Sequence, residues 1–302
     1  MRRRKLIVRL LLLLTAAQVL IFIFRDRFQY RPYASVAELY APCPAACTAT
    51  WRLFADDYRN ELPAAKILSD SVTASLQLSA TRVLALGRFL YAKFHNRLGE
   101  PPPALLSASP MQQYAMLNAN DTMQLWCGNF AQMFALLCWA EGIACRNLEI
   151  MNPGDHHVLN ECYFPETGRW AAVDLTHNLL LAADSTDSFL DARQLTEAIE
   201  SGKDIKAWRS AGDTIEIRRW DSGREDLLPY YRKINEVHYY HRTDNERAYG
   251  LSNRLRQYFL PVSWYDILTG NGGSNALFYL KDVLALSWLL ALAAFLATKF
   301  YL

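Results

Sequence analysis

An α+β fold is what the sequence predicts: one helix packed on a small antiparallel sheet, flanked by further helices, with an apolar segment of membrane type at each end. Three patterns lead to it. Residues 50–98 and 127–141 carry apolar side chains at a helical period, and residues 143–176 hold three short strand-like runs separated by turn sequences. Both termini are much more apolar than the 302-residue chain as a whole, which is 52% hydrophobic and 21% charged. A formal net charge of +2 gives no electrostatic reason to expect nucleic acid as a partner.

The N-terminal segment, assigned to residues 1–25, opens with Arg2, Arg3, Arg4 and Lys5 and continues as an apolar run from Leu6 to Phe24, broken by Arg9, Thr15 and Gln18. At about 1.5 Å per residue such a helix nearly crosses a bilayer's hydrocarbon, and Arg9 can snorkel to the head groups. Ala16 and Ala17 fall inside the apolar run, and no small-x-small site follows Phe24 promptly, so an uncleaved anchor is favoured over a signal peptide. The second segment, residues 276–302, holds the run Val283–Thr298 between Lys281, Asp282 and Lys299. Leu277–Leu280 could extend it to a full span. A core helix is the alternative, but all-round apolarity suits lipid better than a soluble surface, and a lipid-anchor signal after Gly272-Gly273-Ser274 is the lesser option. Basic residues ahead of the first span predict a cytoplasmic N-terminus. Two spans then leave both ends in the cytoplasm and residues 26–280 outside it. Cys43 and Cys47, just past the first span, fit either a local disulfide or two thiols.

Residues 26–110 read as a helical region, with Pro101-Pro102-Pro103 closing the helical pattern. A polar loop, LNANDTMQ, leads to Cys127, where a helix begins that Gly142 should stop. Then come the strand IACRNLEIM, the turn NPGD, the strand HHVLNECYF, the turn PETG and the strand RWAAVDLT. SFLDARQLTEAIESG reads as helix and TIEIRRW as strand, which ends a unit assigned to residues 111–222. Residues 225–260 read as helical, inside an aromatic-rich region at 223–275. Its PYYRKINEVHYYHR stretch, with Trp264 and Tyr265, suits core packing and interfacial aromatics better than a sugar-stacking surface.

A thiol is a useful nucleophile only as thiolate, and a helix N-terminus favours that form through its dipole and free N–H groups. Cys127 sits at such a start. A cysteine nucleophile also needs an imidazole to move protons and a third group to orient it. His157 on the second strand and Asp174 on the third supply both, and a tight hairpin would make them diagonal cross-strand neighbours. Alternation sends His156 and His157 to opposite faces, so only one of them can serve. Taken one at a time, a cysteine at a helix start or a histidine on a strand is more often structural; the case lies in the combination. Cys138, Cys145 and Cys162 read as buried small side chains. No cofactor is implied, and a metal set of Cys127, Cys138, Cys145 and His157 matches no zinc spacing.

Cys127-Gly-Asn-Phe-Ala, the Gly142-Ile-x-x-Arg146 run, Asp155-His-His157 with Glu161 four residues after His157, and Trp170 with Asp174 resemble, in that order, the transglutaminase-like superfamily. The Cys-Gly start is most similar to the peptide N-glycanase branch. The resemblance covers residues 120–180. It implies a papain-like core within 111–222, with Cys127 as nucleophile, His157 as base and acid, and Asp174 as the orienting acceptor. It implies a cysteine acyltransferase or hydrolase, acting on a protein, peptide or amide-bearing glycoconjugate through a thioester, outside the cytoplasm. Gln124 and Trp126 are candidate oxyanion donors beside the Cys127 N–H. Leu125, Leu159 and Leu175 depart from the family pattern. They leave room for a second expectation, a catalytically silent accessory protein of an envelope or glycan-handling assembly.

Overall fold

A computed structural model describes residues 2–24, 28, 42, 58–152, 155–219, 236–240, 264–266 and 275–300; Cys43, Cys47 and most of 223–275 lie outside them. In chain order the helices are α1 (Arg2–Ile23), α2 (Leu62–Thr73), α3 (Ser79–Phe94), α4 (Pro103–Leu106), α5 (Pro110–Ala119), α6 (Cys127–Ala140), α7 (Ala192–Glu200) and α8 (Asn275–Phe300). The strands are β1 (Cys145–Asn152), β2 (Asp155–Phe164), β3 (Arg169–Val173), β4 (Leu181–Ala183), β5 (Lys206–Ala211), β6 (Thr214–Arg219), β7 (Glu236–Tyr240) and β8 (Trp264–Asp266). This is a mixed α+β chain with an apolar helix at each terminus.

Helix α6 is the centre of the fold. Every residue from Asn129 to Trp139 is buried, because α2, α3 and α5 pack on one side of it and β1 and β2 on another. The sequence shows only one apolar stripe on this helix; the small residues Ala131 and Ala135 let neighbours close on its remaining sides. Gly142 ends it with a φ of +75°, a conformation that costs a residue without Cβ little, while the Ile143 N–H returns to the Cys138 carbonyl at 2.9 Å.

One antiparallel sheet runs in the order β3-β2-β1-β7-β8 and a second runs β4-β5-β6. The β1–β2 register sets Cys145 against Cys162, Arg146 against Glu161 and Ile150 against His157. In β2–β3, Asn160 faces Val173, so the next rung brings Leu159 beside Asp174 and leaves His157 diagonal to it. The three strands expected over 143–176 are therefore β1, β2 and β3.

Two readings need correction. The described part of 225–260, Glu236–Tyr240, is strand rather than helix: EVHYY is β-branched and aromatic, and it pairs with the open edge of β1. The sheet thus continues past residue 222. The expected polar loop before Cys127 is partly helical, since α5 runs to Ala119; Ser109 and Gln112 form its capping box and Pro110 its first turn.

Arg146 and Glu161 tie these layers together. Arg146 donates from Nε and Nη2 to one Glu161 oxygen at 2.9 and 2.7 Å, and its guanidinium lies 3.8 Å from the Trp170 ring centroid. The other Glu161 oxygen accepts the Ala192 N–H at 2.7 Å, at the start of α7.

The segments Arg4–Ile23 and Ala276–Thr298 are long and apolar enough to cross a membrane, and only 6% and 11% of their apolar windows are buried, which argues against core helices. Arg4 lies over Phe295 and Trp288 donates to Thr15 at 2.9 Å, so α1 and α8 pack antiparallel.

Candidate active site

Cys127 is the first residue of α6 and is half-buried. The turn before it is held by side chains from inside the fold. The Asn129 side-chain oxygen Oδ1 accepts the Trp126 backbone N–H at 2.9 Å. The Asn129 amide donates to Gln113 at 3.2 Å, and Gln113 donates to Gln132 at 3.0 Å and to the Ala108 carbonyl at 2.8 Å. All three amide side chains are buried. Nothing in the local pattern around Cys127 announces this network, although two amides inside an apolar helix are its trace.

His157 is buried, and its Nε2 lies 2.7 Å from Asp174 Oδ2. An ionised carboxylate only accepts, so Nε2 carries the proton of that bond, and the Cys127 sulfur lies near enough to favour charge on the ring. Burial opposes charge on the ring. The Asp174 charge and hydrogen bond outweigh it, Cys127 adds to them, and the imidazole is raised to about 10. Asp174 is fully buried, which alone would raise it, yet His157 and a second imidazole, His177, hold it well below the usual carboxylate range. His156 is exposed and lies 3.4 Å from Glu149. The two adjacent histidines are thus separated by strand alternation.

His177 is a site neighbour that sequence reasoning missed. Its Nδ1 lies 2.9 Å from the same Asp174 Oδ2, and its ring meets His157 edge-on at 4.7 Å. It rides on a 3-10 turn, Leu175–His177, closed by Asp174 and Leu179, which exchange backbone hydrogen bonds of 2.7 and 2.8 Å. The signal was present as a histidine three residues after the aspartate.

The other candidates are spread around Cys127. Trp126 is 45% exposed and its backbone N–H is spent on Asn129, which leaves the indole as its free donor group toward solvent. Gln124 is exposed and its amide lies over Gly99, where a Cβ would come within 2.5 Å of it. Leu125, Leu159 and Leu175 are all buried in the core.

Among the described residues, two groups have the donor set for a metal ion. Cys138, Cys145 and Cys162 bring their sulfurs within 4.8 Å of one another, and so do the ligand atoms of His157, Asp174 and His177. Burial pushes the Cys138 and Cys162 thiols well up, so a cation there would displace protons against that cost. In the histidine group the 2.7 and 2.9 Å contacts are direct hydrogen bonds. Cys138 and Cys145 cluster with Cys162, not with Cys127 and His157.

No protein-family model and no curated protein matches this chain. Among solved structures it is similar to a chain described as a putative cysteine protease from Cytophaga hutchinsonii, with 19% identity over 58% of this chain and a TM-score of 0.31. The match spans 56% of that chain, little more than half its length.

Proposed function

We propose that this protein is a membrane-anchored, transglutaminase-like cysteine enzyme that transfers or hydrolyses acyl groups. Cys127 attacks an amide or related carbonyl and His157 carries the proton to the leaving group. Asp174 stabilises the imidazolium, and water or an amine then releases the thioester. The substrate class is a protein, peptide or amide-bearing glycoconjugate. The observation that supports the reading is the buried His157–Asp174 hydrogen bond of 2.7 Å, with the thiol at the tip of α6 close enough to perturb that imidazole. With His157 raised to about 10, an imidazolium is available to a thiolate across the neutral range.

Both termini are assigned to the cytoplasm and the domain to the other side of the membrane; antiparallel packing of α1 and α8 is the arrangement that two spans with their ends on one side would have.

A silent accessory role is the second reading. What favours it is the Trp126 backbone N–H, engaged by Asn129 and so withdrawn from an oxyanion, which leaves the Cys127 N–H and the exposed Gln124. Alkylation of the full chain in detergent across pH separates the two. A Cys127 that reacts well below the ordinary thiol range of about 8.5 supports the enzyme. A sluggish thiol, with identical substrate capture by wild type and Cys127→Ala, removes it.

A further inference from the structure

We propose that His177 is a positioning residue of this site, holding the Asp174 carboxylate in the orientation that grips His157. The inference rests on the thiol-enzyme reading and deepens it.

The three side chains are graded in exposure: Asp174 is sealed, His157 is 3% exposed and His177 is 16% exposed. Both imidazoles point a nitrogen at one carboxylate oxygen, Oδ2, at 2.7 and 2.9 Å. Because an ionised carboxylate cannot donate, each of those nitrogens bears hydrogen, which fixes the tautomer of a neutral His177 with its proton on Nδ1. His177 also donates its backbone N–H toward the other oxygen, Oδ1, at 3.4 Å. That long contact is a weak restraint beside the 2.9 Å ring bond, which opposes rotation of the carboxylate about its own axis.

The turn that carries His177 is itself fixed. Asn178 takes the left-handed conformation, with φ of +59°, and its side chain exchanges two hydrogen bonds with the Ser210 backbone on β5, at 3.0 and 2.8 Å. Asp174 and Leu179 close the base of the loop. A ring on so rigid a support can set the direction of the group it touches. Among the described residues, Asp174 accepts from the ring and His157 meets it edge-on.

Two substitutions separate this role from simple packing. His177→Phe keeps a ring beside His157 and loses the donor. His177→Asn loses the ring and keeps a donor nitrogen at the same distance along the side chain as Nδ1. The measurement is the rate of iodoacetamide labelling at the Cys127 peptide against pH, in the full chain in detergent.

With the carboxylate loosened, His157 holds its proton less firmly and thiolate forms only at higher pH. In His177→Phe the acid limb is expected about one unit higher than in wild type, roughly a tenfold slower reaction below it. His177→Asn is expected to follow wild type. The proposal is overturned if Phe follows wild type, or if Asn is displaced as far as Phe. A wild-type Cys127 that titrates near the ordinary thiol value removes the thiol-enzyme reading and this role together, whereas a shifted wild type with unmoved variants removes only His177.

Discussion

Arg146 is the largest side chain that the described part of the fold buries completely, and Glu161 is what makes that burial tolerable. Two hydrogen bonds to one carboxylate oxygen and a Trp170 face leave the guanidinium compensated, while the second oxygen caps the start of α7. Removing the acid takes the carboxylate partner from a buried cation. Glu161→Ala is expected to destabilise the protein by about 3–5 kcal/mol, read as a fall in the urea midpoint. His157 makes a different prediction. Its folded value, about 10, is above the unfolded one of about 6.5, so its contribution is full below about 6.5 and is lost as pH rises through about 10. Asp174, held low, contributes above the ordinary carboxylate value and loses its contribution as pH falls through its own depressed one. Urea midpoints of wild type and His157→Gln should therefore differ at pH 7 and converge toward pH 10.

At the scale of elements, α6 shows what the sequence makes legible. Its start at Cys127, its stop at Gly142 and the three strands that follow can be read from apolar spacing and turn residues, and that order is enough to bring His157 to Asp174 and to set Cys127 at the tip of the helix packed on those strands. The support of the site is less legible. Gln113 reaches Asn129 and Gln132 across sixteen and nineteen positions, and no local periodicity encodes so distant a pairing. Strand β7 was obscured for another reason, because its five residues gain their partners only when β1 and β8 flank them. The buried amides make Asn129→Ala a test of that support. It should cost about 1–2 kcal/mol by leaving the Trp126 and Gln113 groups unpaired, and should slow labelling of Cys127 as the helix tip loosens. Helix α7 offers a pH-dependent case. Asp191 caps it by accepting the Gln194 N–H at 2.7 Å, while burial and the charge of Glu161 raise its carboxyl to about 7. A raised acid stabilises the fold at low pH and loses that contribution as pH rises from about 3.9 through 7. Asp191→Asn preserves a capping acceptor without the charge, so its melting temperature should exceed that of wild type at pH 8 by a margin that shrinks below pH 7 and vanishes below about pH 4.

For the whole molecule, the decisive feature is a domain strung between two apolar helices that touch each other. The segments are exposed along most of their length, and the Trp288–Thr15 hydrogen bond and the Arg4–Phe295 contact set them side by side. If they are the proposed spans, alkaline carbonate should leave the full chain in the membrane pellet, and deletion of residues 2–24 should leave it there as well, because α8 alone suffices to hold it. Release of that shortened chain into the supernatant would refute the second span. A domain fastened at both ends also answers differently to a protease than one on a single stalk. If both helices are spans, a nick anywhere between β6 and α8 would leave one fragment rooted through α1 and the other through α8, so the domain could be cleaved in place and still not be shed.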